Sequence, residues 1–148
     1  MRAVGVDLGA RRIGVAVSDS SGLLASPRTT IVRGLDPAAD RAALVALVAE
    51  EGAGTVVVGL PRELSGREGT AARAARAEIE ALRALLEPDG VTVEAFDERL
   101  TTVTAERALA QAGHDGRSRR RVVDQAAAAV LLQAWLDSRP RDASEARP

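Results

Sequence analysis

Hydrophobic and polar positions near the start of the chain follow the two-residue period of β-strands. Two short apolar runs, residues 3–6 and 13–17, flank a turn-like segment, with Gly9 and Gly14 on either side of it. Alternating β-branched residues around such a turn are typical of a β-hairpin. Residues 23–32 continue as a third strand, in which Pro27 favours a position at the edge of a sheet. The pattern predicts three antiparallel strands at the start of the fold.

The remainder of the chain alternates helical and strand patterns. Asp36 and Pro37 are typical of a helix start, and that helix is predicted to end near Glu51. The continuous apolar run over residues 55–59 is typical of a central parallel strand. The further predicted elements are a helix over 70–87, a strand over 91–96, a helix over 103–112, an arginine-rich loop over 113–121 and a helix over 122–137. Helices that alternate with strands predict right-handed parallel crossovers.

This order of elements predicts an α/β protein with the plan of the ribonuclease H-like fold. We expect a five-stranded mixed sheet, in which three antiparallel strands are followed by parallel β-α-β units, flanked by helices. The 148 residues fit one domain with a proper core, which we assign to residues 1–137. Residues 138–148 are charged and flanked by prolines, so we expect a flexible C-terminal tail.

Composition narrows the available chemistry. The chain has no cysteine and a single histidine, His114, which argues against disulfides, thiolate zinc sites, histidine-rich zinc sites and a serine triad. All 20 basic residues are arginine, and the net charge is −1. Neither a transmembrane-length apolar run nor a signal peptide is present, so we expect a cytoplasmic protein without a membrane partner. Carboxylates, hydroxyls and guanidinium groups remain as reactive groups.

Acidic residues occur at three places where the secondary structure alone does not require them. Asp7 lies inside the first strand, where a buried unpaired charge is costly. Asp97 and Glu98 follow the fifth strand, and the carboxyl ends of strands form the ligand crevice of open α/β sheets. Asp124 lies on an otherwise apolar face of the last helix. Each acid alone could have a structural role, in a turn, at a strand end or at a helix start.

Together, these acids form the type of ligand set that Mg²⁺ or Mn²⁺ prefers. Two such ions can activate a water and stabilise the leaving oxygen of a phosphodiester. Arginines in the predicted loops lie beside the acids in sequence and could bind nucleic-acid phosphates largely without sequence preference, although runs of charge are commonly only solvated surface. The arginines assigned to nucleic-acid binding are Arg11, Arg12, Arg62, Arg67, Arg99, Arg117, Arg119, Arg120 and Arg121.

Four segments of the chain resemble the YqgF/RuvX family, the RuvC-like Holliday junction resolvases that are also described as pre-16S ribosomal RNA nucleases. The segments are residues 6–19, 58–61 with 65–69, 97–102 and 124–133, and the resemblance covers most of residues 2–136. It implies a ribonuclease H-like fold and a metal-dependent nuclease in the cytoplasm, which matures the 5′ end of the small-subunit ribosomal RNA precursor. It also implies a site formed by Asp7, Glu98 and Asp124, with Asp97 as the alternative to Glu98.

The chain departs from the pattern of these proteins at two places. Arg11 stands where the family usually has lysine, which keeps the charge. The wider RuvC-like group carries a catalytic acid on its fourth strand, whereas this chain has Gly59, Leu60 and Pro61 there. The second metal ligand must then come from the fifth strand.

Three functions are compatible with these residues. The first is a nuclease that uses Mg²⁺ or Mn²⁺. The second is an ATPase of the actin and sugar-kinase superfamily, whose first phosphate motif resembles residues 7–9, although 148 residues hold only one of the two halves that such proteins need. The third is a non-catalytic module that docks on RNA or on a protein partner. The sequence does not choose between branched DNA and ribosomal RNA precursor, between endonuclease and exonuclease, or between a monomer and a homodimer.

Overall fold

The computed structural model describes residues 1–61, 69–98 and 116–139, with residues 116–123 described as backbone. These parts of the chain contain five strands and three α-helices, and a short 3₁₀ turn, Glu87–Asp89, follows the second helix. In chain order the elements are β1 (Ala3–Leu8), β2 (Arg12–Ser18), β3 (Ala25–Val32), α1 (Pro37–Glu51), β4 (Thr55–Leu60), α2 (Thr70–Leu86), β5 (Thr92–Asp97) and α3 (Gly116–Ser138).

The five strands form one mixed sheet with the order β3-β2-β1-β4-β5. Strand β2 is antiparallel to both β1 and β3, whereas β1 and β4 are parallel and β4 and β5 are parallel. Pro27 lies on the edge strand β3 and pairs with Ala16 next to a register shift in β2. The predicted sheet and the predicted edge position of Pro27 are therefore confirmed.

Helices cover the sheet on both faces. Helices α1 and α2 pack on one face, where the described core consists mainly of large aliphatic side chains: Val4, Val6, Ile13, Val15, Leu44, Leu47, Val48, Ala53, Val56, Val58, Ile79, Leu82, Leu86 and Val93. Helix α3 packs on the other face, where the smaller sheet residues Ala3, Ala16 and Val57 meet Ala128, Leu132, Trp135 and Leu136 of the helix. The sheet thus separates two cores of different composition.

The ends of several elements follow from local hydrogen bonds. Strand β3 begins at Ala25, two residues later than predicted, because the Asp19 carboxylate accepts the backbone N–H groups of Leu23 at 2.8 Å and Leu24 at 3.1 Å. Helix α1 begins as predicted, with the Asp36 carboxylate accepting the backbone N–H of the second helical residue at 3.0 Å. It ends at Glu51 and is followed by the capping residue Gly52, which adopts a left-handed conformation with φ 63°.

The start of α3 differs from the prediction. Residues 113–121 were expected to form a loop, but the helix already begins at Gly116, so Arg117, Arg119, Arg120 and Arg121 lie on its first turns. Arginine is a good helix former and no proline or glycine interrupts residues 117–121, so charge density alone was a poor reason to predict a loop. The predicted helix over 103–112 and most of the predicted tail lie outside the described residues. Among the helices in the described ranges, none is both long and apolar enough to cross a membrane.

Candidate active site

Asp7 is the buried acid around which the candidate site forms. Its exposed fraction is 4%, although it carries a carboxylate. It lies two residues after Gly5 on β1, and a Cβ added at Gly5 would lie 2.7 Å from the Leu132 Cβ of α3. Because side chains alternate along a strand, Asp7 lies on the face of the sheet that α3 covers.

Glycines flank Asp7 on both neighbouring strands. Asp7 pairs directly with Gly14 of β2. On the other side, β1 and β4 pair up to Val6 and Val58, and the next step of the same parallel register brings Asp7 beside Gly59. The space over these two glycines, on the face of α3, is therefore next to the Asp7 carboxylate.

The space over Gly14 is filled by the backbone of Asp124. A Cβ added at Gly14 would overlap the carbonyl oxygen of Asp124 and would come within 3.2 Å of its Cβ. Helix α3 can therefore pass this close to the sheet only because residue 14 has no side chain. The predicted apolar face of the helix is confirmed by its buried residues Ala128, Leu131 and Trp135. The close contact brings Asp124 next to Asp7.

The space over Gly59 is filled by the side chain of Glu98. A Cβ added at Gly59 would lie 2.7 Å from the Glu98 Oε1 atom and 3.1 Å from the Leu131 Cδ2 atom. Glu98 directly follows β5, and its long side chain thus occupies the position where a side chain of β4 would begin. An acid that follows the fifth strand therefore reaches over the fourth strand.

Asp97 lies on the opposite face of the sheet from Asp7. It pairs with Leu60, which is buried with Ala72 and Ala75 of α2. The preceding pair of the same ladder, Gly59 with Phe96, faces α3. Alternation along β5 therefore separates Asp97 from Asp7, whereas Glu98 lies on the same side as Asp7.

Arg12 is a cation that contacts this group of acids, through Asp124. Its Nε atom donates to the Asp124 Oδ2 atom at 2.8 Å, and the two side chains are 26% and 18% exposed. The pair joins the first residue of β2 to a helix 112 positions later in the chain. Arg11, its neighbour, is exposed to solvent.

Arg33 stabilises the turn that carries Arg12, and the sequence interpretation missed it. Its Nε atom donates to the Gly9 carbonyl oxygen at 2.7 Å, and its backbone N–H donates to the Arg11 carbonyl oxygen at 2.9 Å. The hairpin is also closed by the Gly9 N–H, which donates to the Arg12 carbonyl oxygen at 2.9 Å. The signal was available, because Arg33 follows the third strand, which pairs antiparallel with the second.

The residue types present fit a divalent cation, but their side chains are not arranged around one. In the described parts of the chain, no group of three or more acidic or histidine side chains could hold a metal ion as it stands. The Asp124 carboxylate is directed at Arg12 instead, so its charge is compensated there by a guanidinium. Asp7, Glu98 and Asp124 offer the oxygen ligands that Mg²⁺ and Mn²⁺ prefer, on one face and at one edge of the sheet.

The other arginines predicted to bind nucleic acid divide into two groups. The backbones of Arg117, Arg119, Arg120 and Arg121 lie on the turns of α3 that precede Asp124. The remaining three lie outside the described residues: Arg62, Arg67 and Arg99.

Comparison with solved structures identifies the class of fold. The chain is similar to Thermus thermophilus RuvC in complex with a Holliday junction substrate, with a TM-score of 0.58 and 16% identity over 92% of this chain and 93% of that one. It is also similar to the yeast mitochondrial Holliday junction resolvase, with a TM-score of 0.54 and 10% identity over 90% of this chain and 77% of that one. The fold is therefore RuvC-like, within the ribonuclease H-like class.

Sequence comparison identifies the family. A family model described as RuvX, Holliday junction resolvase, matches residues 1–138. A relative from Thermobifida fusca is 52% identical over 143 residues, covering 92% of this chain and 87% of its own length. One from Frankia casuarinae is 50% identical over 136 residues, and the match spans 92% of this chain and 66% of the Frankia protein. Both carry the name "Putative pre-16S rRNA nuclease". The chain belongs to the RuvX family, as the four sequence motifs indicated.

Proposed function

We propose that this protein is a metal-dependent nuclease, and that Asp7, Glu98 and Asp124 form the site at which it hydrolyses phosphodiester bonds. One observation carries the proposal: Asp7 lies between two glycines, and the spaces over these glycines are filled by Asp124 on one side and Glu98 on the other. In this proposal, acids from β1, from the end of β5 and from α3 converge at one edge of the sheet.

The charge of the site explains why a metal is part of the proposal. Carboxylates brought together away from water repel one another and the phosphodiester they would cut, unless cations compensate. A bound Mg²⁺ or Mn²⁺ would supply that compensation and would activate a water molecule. Asp7 would be the rigid ligand because β1 is paired on both sides. Glu98 would reach the ion over Gly59, and Asp124 would reach it by turning away from Arg12.

Arginines around the site would hold the nucleic acid. Arg11 is exposed on the β1–β2 turn, and the first turns of α3 carry four arginines just before Asp124. Such residues bind phosphates in any sequence and make affinity fall steeply with salt. The relatives' name and the junction-bound neighbour indicate two substrates. We propose the 5′ end of the 16S ribosomal RNA precursor as the first substrate, in the cytoplasm, and a branched DNA junction as the second to test.

The contact between Arg12 and Asp124 favours a second candidate function. A carboxylate that stays neutralised by a guanidinium does not need a metal, and the fold could then dock on RNA or on a processing partner without chemistry. Binding would survive the loss of all three acids in that case, and cleavage would be absent with every metal.

The experiment is a cleavage assay on three labelled substrates: a precursor 16S leader RNA, a four-way DNA junction and plain single-stranded RNA. Each substrate is incubated with Mn²⁺, Mg²⁺ or EDTA, with the parent protein and with Asp7→Asn. We expect metal-dependent cutting that falls about a thousandfold or more in Asp7→Asn, because a bound metal supplies several kcal/mol of transition-state stabilisation. Affinity for the substrate, measured in EDTA, should change little.

Asp40→Asn is the matched control. Asp40 is also a buried aspartate, 8% exposed, but it lies on α1, which packs on the face of the sheet opposite to α3, and its Oδ1 atom accepts the Gly34 N–H at 3.1 Å. This variant should cut at the parent rate. Equal activity of Asp7→Asn and the parent would contradict the proposal, and binding without cutting in all metals would favour the docking module.

A further inference from the structure

Arg12 and Asp124 are held in contact by backbones that cannot easily separate. Arg12 begins β2, and the turn before it is fixed by hydrogen bonds from Gly9 and Arg33. Asp124 is held by the close approach of its backbone to Gly14. The two residues are thus anchored on neighbouring rigid elements, and only a side-chain rotation can break the bond between them.

In this structure the guanidinium of Arg12 engages the carboxylate that a metal ion would need in the proposed site. The Asp124 Oδ2 atom accepts a hydrogen bond from the Arg12 Nε atom at 2.8 Å, and the two side chains are only 18% and 26% exposed to solvent. In the proposed nuclease site, the same carboxylate would bind the cation. A single carboxylate that is engaged with a guanidinium binds a metal less readily, because both cations compete for the same negative charge.

We infer that Arg12 is a placeholder cation: it neutralises Asp124 while the site holds no metal and gives up this carboxylate when the metal binds. The inference rests on the proposed nuclease function. It makes Arg12 a positioning residue whose guanidinium, once released from Asp124, is available to a phosphate of the nucleic acid at the edge of the site. A phosphate that engages Arg12 would free Asp124 for the metal, so metal and nucleic acid would strengthen each other's binding.

The placeholder role and a purely structural role of Arg12 predict opposite changes in metal affinity when Arg12 is removed. If Arg12 only pins α3 to the sheet, its removal weakens the site and lowers metal affinity or leaves it unchanged. If Arg12 competes with the metal, its removal raises metal affinity. A partly shielded ion pair of this kind corresponds to a change of up to about fivefold in an equilibrium constant.

The test is titration calorimetry of the full chain with Mn²⁺, without nucleic acid. The proteins are the parent, Arg12→Ala, Arg12→Gln, Arg11→Ala and Asp7→Asn. We expect Arg12→Ala to bind Mn²⁺ up to about fivefold more tightly than the parent. Arg11→Ala is the matched control, since Arg11 is the exposed neighbour in the same turn, and it should bind as the parent does. Thermal unfolding of every variant shows whether it is folded.

The possible results separate this inference from the proposed function. In one outcome, the parent binds Mn²⁺, Asp7→Asn does not, and folded Arg12→Ala binds the ion equally well or more weakly than the parent. This outcome would overturn the placeholder role of Arg12 and leave the nuclease proposal intact. Absence of Mn²⁺ binding in the parent and in both Arg12 variants would overturn both. If Arg12→Ala does not fold, Arg12→Gln decides instead, because it keeps most of the packing of the side chain while removing the charge.

Discussion

The two faces of the sheet belong to the same strands but present different side chains to the helices that cover them. Toward α1 and α2, the strands present β-branched side chains such as Val6, Val15 and Val58, all fully buried. Toward α3, the same strands present Gly5, Gly14 and Gly59, together with the buried acid Asp7. One face keeps its helices at a distance set by large side chains, whereas the other lets a helix touch the strand backbone.

This difference shows how a small domain can carry a charged site without losing its core. Large aliphatic residues on one face bury the apolar surface that stabilises the fold. Glycines on the other face give up part of that burial, but they leave room over Gly14 and Gly59 for Asp124 and Glu98. Three variants test this division, beginning with the largest expected effect.

Gly14→Ala should destroy both the stability and the site. Its new Cβ would overlap the backbone carbonyl of Asp124, and backbone cannot move aside as the end of a side chain can. We expect the free energy of unfolding, measured in urea, to fall by about 3 kcal/mol or more, and Mn²⁺ binding to be lost because α3 is displaced.

Two controls separate this effect from a general loss of stability. Leu82→Ala, at a fully buried position on the opposite face, should cost about 2–5 kcal/mol and yet keep the Mn²⁺ affinity of the folded protein. Gly34→Ala should change little, since the nearest atom to its Cβ, the Asp40 Oδ1 atom, lies 3.8 Å away. A Gly14→Ala variant as stable as Gly34→Ala would show that the close helix contact is not required.

Gly59→Ala should damage the site far more than the fold. Its Cβ would meet the ends of the Glu98 and Leu131 side chains, which can rotate, so the loss of unfolding free energy should be about 1 kcal/mol. Glu98 would then leave its place beside Asp7, and we expect Mn²⁺ affinity in calorimetry to fall about tenfold or more. Adding Gly59→Ala to Glu98→Gln should produce no further loss of affinity. Additive losses would mean that Gly59 does not act through Glu98.

The smallest effect is expected from a variant of Asp19, which follows β2 at the end of the sheet that lies away from the candidate site. The Ser21 hydroxyl, followed by the backbone N–H groups of Leu24 and Leu23, lowers the pKa of Asp19 from 3.8 to about 2. Because the pKa is lowered on folding, the stabilisation is present above pH 4 and is lost as the pH falls toward 2. The melting-temperature difference between the parent and Asp19→Asn should disappear over that range.

The measured difference should be small, because Asp19 is exposed and its interactions are screened by solvent. Mn²⁺ affinity at pH 7 should be equal in the two proteins, since Asp19 follows β2 at the end opposite to Gly14. A change in metal affinity would mean that the two edges of the sheet are coupled.

Much of the fold could be predicted because its signals are local. The cap at Asp36, the apolar run of β4 and the helical period of α2 each depend on a few neighbouring residues. The start of α3 could not be predicted from charge, since a run of arginines is compatible with a loop and with a helix. The start of β3 was also misplaced, because the Asp19 carboxylate binds Leu23 and Leu24 and keeps them out of the strand.

The sequence by itself determined the strand and helix order, the RuvX motifs and the set of acids that could form a site. Only the tertiary structure decided which acids come together. It brought Glu98 and not Asp97 to the face of Asp7, because the pairing of β4 with β5 fixes which side of the sheet each residue occupies. It also joined Arg12 to Asp124. Periodicity can be read along a chain, but a contact across 112 residues depends on how the elements pack.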